Sequence, residues 1–134
     1  MLAAIPLMIV PLIAYNLVMV GLFGGGVAGL GSTVTSLSMM SGAVWTMSLG
    51  DVLIVLALGL LFVEVVKATR TGRWSVLDHM LSMLVFVAFL VEFLLVRDAA
   101  TQVFFILMAI AFIDVIAGFT VAIRSAGRDV SIGL

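Results

Sequence analysis

Cysteine is absent from the 134 residues, and with it go disulfide frameworks, thiol nucleophiles and thiolate metal sites. A single histidine, His79, cannot build a multi-histidine metal centre. Charge is also scarce. Asp, Glu, Lys and Arg make up 10% of the chain, against about 25% in an ordinary soluble domain, which is too little polar surface to cover a water-soluble globule. The charges nearly cancel to a formal net charge of -1, leaving neither a basic field to hold nucleic acid nor an acidic tail. Sequence signatures of catalysis are missing as well: there is no G-x-S-x-G, no H-E-x-x-H and no phosphate-cradling glycine motif with a lysine. Asp78 and His79 are adjacent, but neighbours on a helix point about 100° apart, and no nucleophile is placed beside them. No catalytic role and no cofactor is therefore expected. The methionines are scattered and read as adaptable packing rather than metal ligands.

What the chain has in abundance is apolar length, with 65% hydrophobic residues. A bilayer core of about 30 Å needs about 20 apolar residues of helix. Stretches at 2–23, 51–68, 75–96 and 101–123 qualify, followed by a tail at 124–134. The first lacks a cationic start and an obvious small-residue cleavage site, so it reads as a retained span rather than a signal peptide. The expected fold is all-α: a polytopic membrane protein built as an antiparallel four-transmembrane-helix bundle forming a single domain. Lysine and arginine orient it. Lys67, Arg70 and Arg73 flank the second connection and Arg124 and Arg128 the C-terminal tail, whereas the first and third connections hold only Arg97. The positive-inside rule then places both termini in the cytoplasm and the protein in the inner membrane, with Trp74 at the inner interface and Trp45 at the outer.

Pro6 and Pro11 each remove a backbone donor from the first span and predict a bend there. The run Gly24, Gly25, Gly26 ends that span and opens a connection reaching Gly50, with no charged side chain from Leu2 through Gly50. Within this connection Val34, Leu37, Met40, Val44 and Met47 recur at spacings of three and four, which predicts a short amphipathic helix at the outer interface or packed over the bundle. Ser48 with Asp51, and Ser75 with Asp78, both read S-x-x-D before an apolar run, the pattern of a capping box. Gly72 and Gly127 stand where a helix C-cap glycine is expected.

Glu64, Glu92 and Asp114 lie inside the spans. A charged group near the bilayer centre costs about 2.5–3.5 kcal/mol on insertion scales, so these carboxylates should face protein or water. At about 1.5 Å per residue Glu64 and Asp114 fall at the same depth in the inner half, where they can meet. Glu92 belongs to the outer half, level with Asn16, and a hydrogen bond between them is expected. In the third span Ser75, Asp78, Ser82 and Glu92 share one arc, with His79 beside it, giving an inward stripe polar from end to end. Stripes of small residues, Ala57 and Ala68 on one span and Ala111, Gly118 and Ala122 on another, are close-approach faces that predict contacts with a second copy or a partner.

Two function classes follow. In the first, the intramembrane polar residues Asp114, Glu64, His79, Glu92, Asn16 and Asp78 are glue between helices, and the chain is a non-enzymatic subunit of a homo-oligomer or larger membrane complex. In the second, the same residues form a proton or cation pathway in a small transporter or channel. The partners expected are the lipid bilayer and other protein, with no identifiable small-molecule substrate.

Overall fold

The computed structural model describes residues 5–70 and 73–133. In chain order they form α1 (Ile9–Met19), a 3-10 turn (Gly26–Gly31), β1 (Thr33–Ser38), β2 (Val44–Ser48), α2 (Leu49–Lys67), α3 (Arg73–Leu95), a second 3-10 turn (Arg97–Ala99) and α4 (Gln102–Gly133). The protein is mostly helical, and α2, α3 and α4 each carry a segment long and apolar enough to cross a membrane. Only 22%, 28% and 39% of their most apolar windows is buried, so most of that apolar surface faces outward. Water would penalise such a surface; lipid does not.

α1 is shorter than the span expected of it. Pro11 has no N–H to offer the carbonyl of Leu7, and Val10 donates to that oxygen instead at 3.0 Å, giving a tighter turn at the start of the helix. Turns continue on both sides, with Ile9 N donating to Pro6 O and Leu22 N to Leu17 O, so turn structure extends from Pro6 to Leu22.

The connection after α1 departs from expectation. Residues 33–48 form an antiparallel hairpin instead of an amphipathic helix, with Leu37 opposite Trp45 and Ser36 opposite Thr46. Thr33, Val34, Thr35, Val44 and Thr46 are β-branched and favour extended backbone, while Gly42 sits in the left-handed region at φ 90° and reverses the chain where the helix would have had to continue. The three-four spacing of Val34, Leu37, Met40 and Val44 was coincidental, and all four side chains are exposed. Leu49 N donates to Ser32 O at 2.9 Å, closing the hairpin onto the start of α2.

α2 begins as expected. Ser48 Oγ accepts from Asp51 N at 3.2 Å and Asp51 Oδ2 accepts from Ser48 N at 3.0 Å, a reciprocal capping box. The second expected box does not form: α3 starts at Arg73, which carries Asp78 past the first turn, and its side chain is buried instead. Gly127 is no C-cap either, since α4 runs through it to Gly133; Gly72 lies outside the described residues.

α4 packs along both α2 and α3, and α1 lies against α2. A lipid-exposed side chain gains little by moving from one apolar medium to another, so close packing has to hold the bundle together. Phe104 is its centre at the hairpin end, fully buried with Tyr15 edge-on at 4.8 Å and Phe89 and Phe93 at 5.3 and 6.3 Å. Tyr15 also ties α1 to the turn between α3 and α4, donating to Asp98 O at 2.8 Å and sharing a 2.6 Å contact with Thr101 Oγ1. Gly50 allows the closest approach: a Cβ there would lie 2.7 Å from Val103 Cγ2 and 3.4 Å from Leu30 O. Most of the small residues expected to mediate assembly pack within the chain. Ala57, Ala68 and Ala111 are buried in the bundle and Gly118 is covered by the ring of His79, while Ala122 is half-buried.

Candidate functional site: a buried carboxylate cluster

Glu64 on α2 and Asp114 on α4 are each thirteen residues past the outer starts, Asp51 and Thr101, of the spans expected from sequence. Their side chains meet within the bundle. α3 supplies Asp78 and Ser82 from one face, four residues apart. The hub is Lys67, one helical turn beyond Glu64. Its ammonium donates to Glu64 Oε1 at 2.8 Å, to Asp78 Oδ1 at 3.3 Å and to the carbonyl of Ile5 at 2.7 Å. Glu64 is further satisfied by Leu7 N at 3.2 Å, a backbone donor left free at the N-terminal end of α1's turns, and by Ser82 Oγ at 3.4 Å. One cluster thus joins the segment before α1 to α2, α3 and α4.

The charges do not balance. Among the described residues three carboxyl groups, on Glu64, Asp78 and Asp114, face one lysine, and each of the three residues is 3–4% exposed. Lys67 forms its ion pairs with Glu64 and Asp78 and, among the described residues, none with Asp114. Asp114 Oδ2 is buried with no hydrogen-bond donor beside it. An unpaired ion away from water is costly, and two touching carboxyl groups cannot both stay ionised cheaply. Oδ2 is the one buried side-chain polar atom among the described residues that the protein leaves unsatisfied.

His79 adjoins the cluster. Its ring covers Gly118, one turn along α4 from Asp114, with Nδ1 3.3 Å from where a Cβ on that glycine would stand, and it lies 5.1 Å from the ring of Phe119. On its other side Nε2 is 3.5 Å from Ser75 Oγ, a long contact leading toward the start of α3.

Glu92 and Asn16 are separate from this group. Asn16 Nδ2 donates to Glu92 Oε2 at 3.2 Å, the bond expected from their matching depth, and also to Leu12 O at 2.8 Å. The inward stripe of α3 is not polar throughout: Val85 and Phe89, both buried, interrupt it between Ser82 and Glu92. With Leu107, Ile110 and Ala111 from α4 they form an apolar layer separating the two polar sites. Arg124 makes no ion pair with the cluster among the described residues, and no group of three acidic or histidine side chains there is arranged to hold a metal ion.

The central role of Lys67 was available in the sequence as a lysine three residues after an intramembrane glutamate. Two features had no such signal: the backbone donor of Leu7, because residue type does not determine a backbone N–H, and the Tyr15 anchor, whose partners lie more than eighty residues away. Comparison with known proteins adds no assignment: no family model, no curated protein and no solved structure matches this chain.

Proposed function

We propose that the chain is a small, non-enzymatic integral membrane protein that crosses the inner membrane four times, keeps both termini in the cytoplasm and works as a subunit of a membrane assembly. The observation that carries this reading is the Lys67 hub. Polar groups from the segment before α1, from α2 and from α3 converge on Lys67 and hold these parts to one another, while large apolar side chains such as Phe62, Leu94 and Phe112 face outward. Association with a second copy or a larger complex then runs through these bulky outward faces. Native mass spectrometry of the protein taken from its own membrane in lipid nanodiscs tests it. A defined homo-oligomer or complex is the expected result, and a bare monomer at every concentration would exclude it.

A second reading, a small proton-coupled or cation-conducting transporter, is favoured by one observation, the unsatisfied Oδ2 of Asp114 beside an excess of carboxyl groups. Proton or cation flux in reconstituted vesicles that disappears in Asp114→Asn would replace the subunit reading with this one.

A further inference from the structure

We infer that Asp114 and Glu64 form a binding site for a proton, reached from the Ser75 end of α3 past His79 and closed at its other end by the apolar layer of Val85, Phe89 and Leu107. The inference deepens the second reading and rests on its placement of the cluster within the membrane, but it does not require flux.

Charge and geometry meet at one atom. With Glu64, Asp78 and Asp114 all ionised, Lys67 as their one counter-ion among the described residues would leave the cluster at a net charge of -2, and the carboxyl without an ion pair there is Asp114. Glu64 has two donors on Oε1 and one on Oε2, as befits a carboxylate, whereas Asp114 Oδ2 has none. A carboxylate can only accept, but a carboxylic acid also donates. Taking up one proton turns Asp114 from an orphaned acceptor into an O–H donor toward the touching Glu64 side chain and removes one buried negative charge. No other bond forms or breaks, and the proton comes from the adjoining aqueous phase.

The groups facing the site have distinct parts. α2 contributes Glu64 as acceptor and Lys67 as counter-ion; α3 contributes Asp78, already paired with Lys67, His79 and the hydroxyl of Ser82. The segment before α1 contributes only backbone groups among the described residues, Leu7 N and Ile5 O. His79 stands between half-buried Ser75 and Gly118, on the Ser75 side of Asp114, and can pass a proton inward by exchanging which ring nitrogen carries it. In the other direction Val85, Phe89, Leu107 and Ile110 offer no polar group, and about 15 Å of helix separates Ser82 from Glu92. The site is a well with one mouth, not a conduit.

The test is infrared difference spectroscopy of the full chain in lipid, following the carboxylic C=O stretch from pH 4 to pH 10 in sodium and in choline buffers. The expected result is a reversible band equivalent to one proton per chain, present near neutral pH, lost on alkalinisation, absent in Asp114→Asn and shifted in Glu64→Gln. Unfolding curves for the same variants show whether the bundle is intact, and Asp114→Glu should restore a titrating band if Asn perturbs it. A band unchanged in Asp114→Asn, no carboxylic band at any pH above 5, or a titration that moves with sodium but not choline would each overturn the assignment, the last in favour of a cation site. Flux is measured on the same vesicles. An intact band without flux ends the transporter reading and leaves the proton site standing, while Asp114-dependent flux without the band does the reverse.

Discussion

Replacing Lys67 by methionine keeps most of the apolar stem and removes the charge together with its three donated hydrogen bonds, so it reads what the hub contributes. The ammonium is largely buried and holds Ile5 O, Glu64 and Asp78 at once. Breaking a buried ion pair by deleting one partner costs about 3–5 kcal/mol when the other partner stays charged. Glu64 and Asp78 have an alternative, which is to bind protons. Holding a carboxyl that ordinarily ionises near pH 4 in its neutral form costs about 4 kcal/mol at pH 7 and about 1.4 kcal/mol at pH 5. Protonation therefore limits the damage, and the limit falls as the pH falls, because a neutral carboxyl needs no counter-ion. Because Lys67 serves two carboxyls, Lys67→Met should lose about 3–5 kcal/mol at pH 7 and no more than about 3 kcal/mol at pH 5, where protonating both costs about 1.4 kcal/mol each. Reversible unfolding in mixed detergent micelles, followed by circular dichroism at both pH values, reads this directly. Limited proteolysis should show the segment around Ile5 and Leu7 released in the same variant, since both of its ties run to this cluster. A variant as stable as the parent at pH 7, or one whose deficit grows as the pH drops, would refute the reasoning.

Asp114→Asn should fold within about 1 kcal/mol of the parent, because the amide can donate to Glu64 as the protonated acid would, whereas Asp114→Leu should lose about 1–3 kcal/mol by leaving Glu64 facing an apolar group; thermal unfolding in micelles separates the two. Phe104→Ala removes the ring that Tyr15, Phe89 and Phe93 share, and at about 0.5–1.5 kcal/mol per ring pair the loss should be about 1.5–4.5 kcal/mol by the same measurement. Gly118→Leu should destabilise the monomer and displace His79, visible as a shift in the histidine ring resonances by NMR, because any Cβ there already stands 3.3 Å from the ring. A fold unchanged by that substitution would show that the ring is not held against α4.

The long helices and the meeting of Glu64 with Asp114 were legible in the sequence because both follow from a fixed rise per residue and from the scarcity of charge in apolar runs. So was the bond between Asn16 and Glu92, two polar groups at one depth with nothing else polar nearby. The hairpin at 33–48 was not, since five apolar residues at helical spacing matched a template that the β-branched residues and the Ser41–Gly42 turn override. Asp78 was misread for a related reason. S-x-x-D before an apolar run caps a helix only if the helix starts at the serine, and α3 starts two residues earlier. The small-residue faces were real close-approach surfaces, but sequence cannot tell whether the approaching helix belongs to the same chain; Ala57, Ala111 and Gly118 meet their own bundle.

The proposed four crossings, with the cluster's mouth on the cytoplasmic side, require the segment around α1 to cross, although α1 itself has 11 residues and a bilayer core needs about 20. Because the chain has no cysteine, single substitutions can be labelled one at a time in intact cells with a membrane-impermeant thiol reagent. Ser41→Cys in the hairpin and Asp98→Cys in the outer turn should react from outside. Thr69→Cys, beyond the end of α2, should react only after the membrane is permeabilised, and a protease site added before Met1 should be cut only from the cytoplasmic side. Cleavage of that site from the same side as Ser41→Cys would mean that the first segment does not cross, and labelling of Thr69→Cys from outside would invert the protein and contradict cytoplasmic access to Asp114.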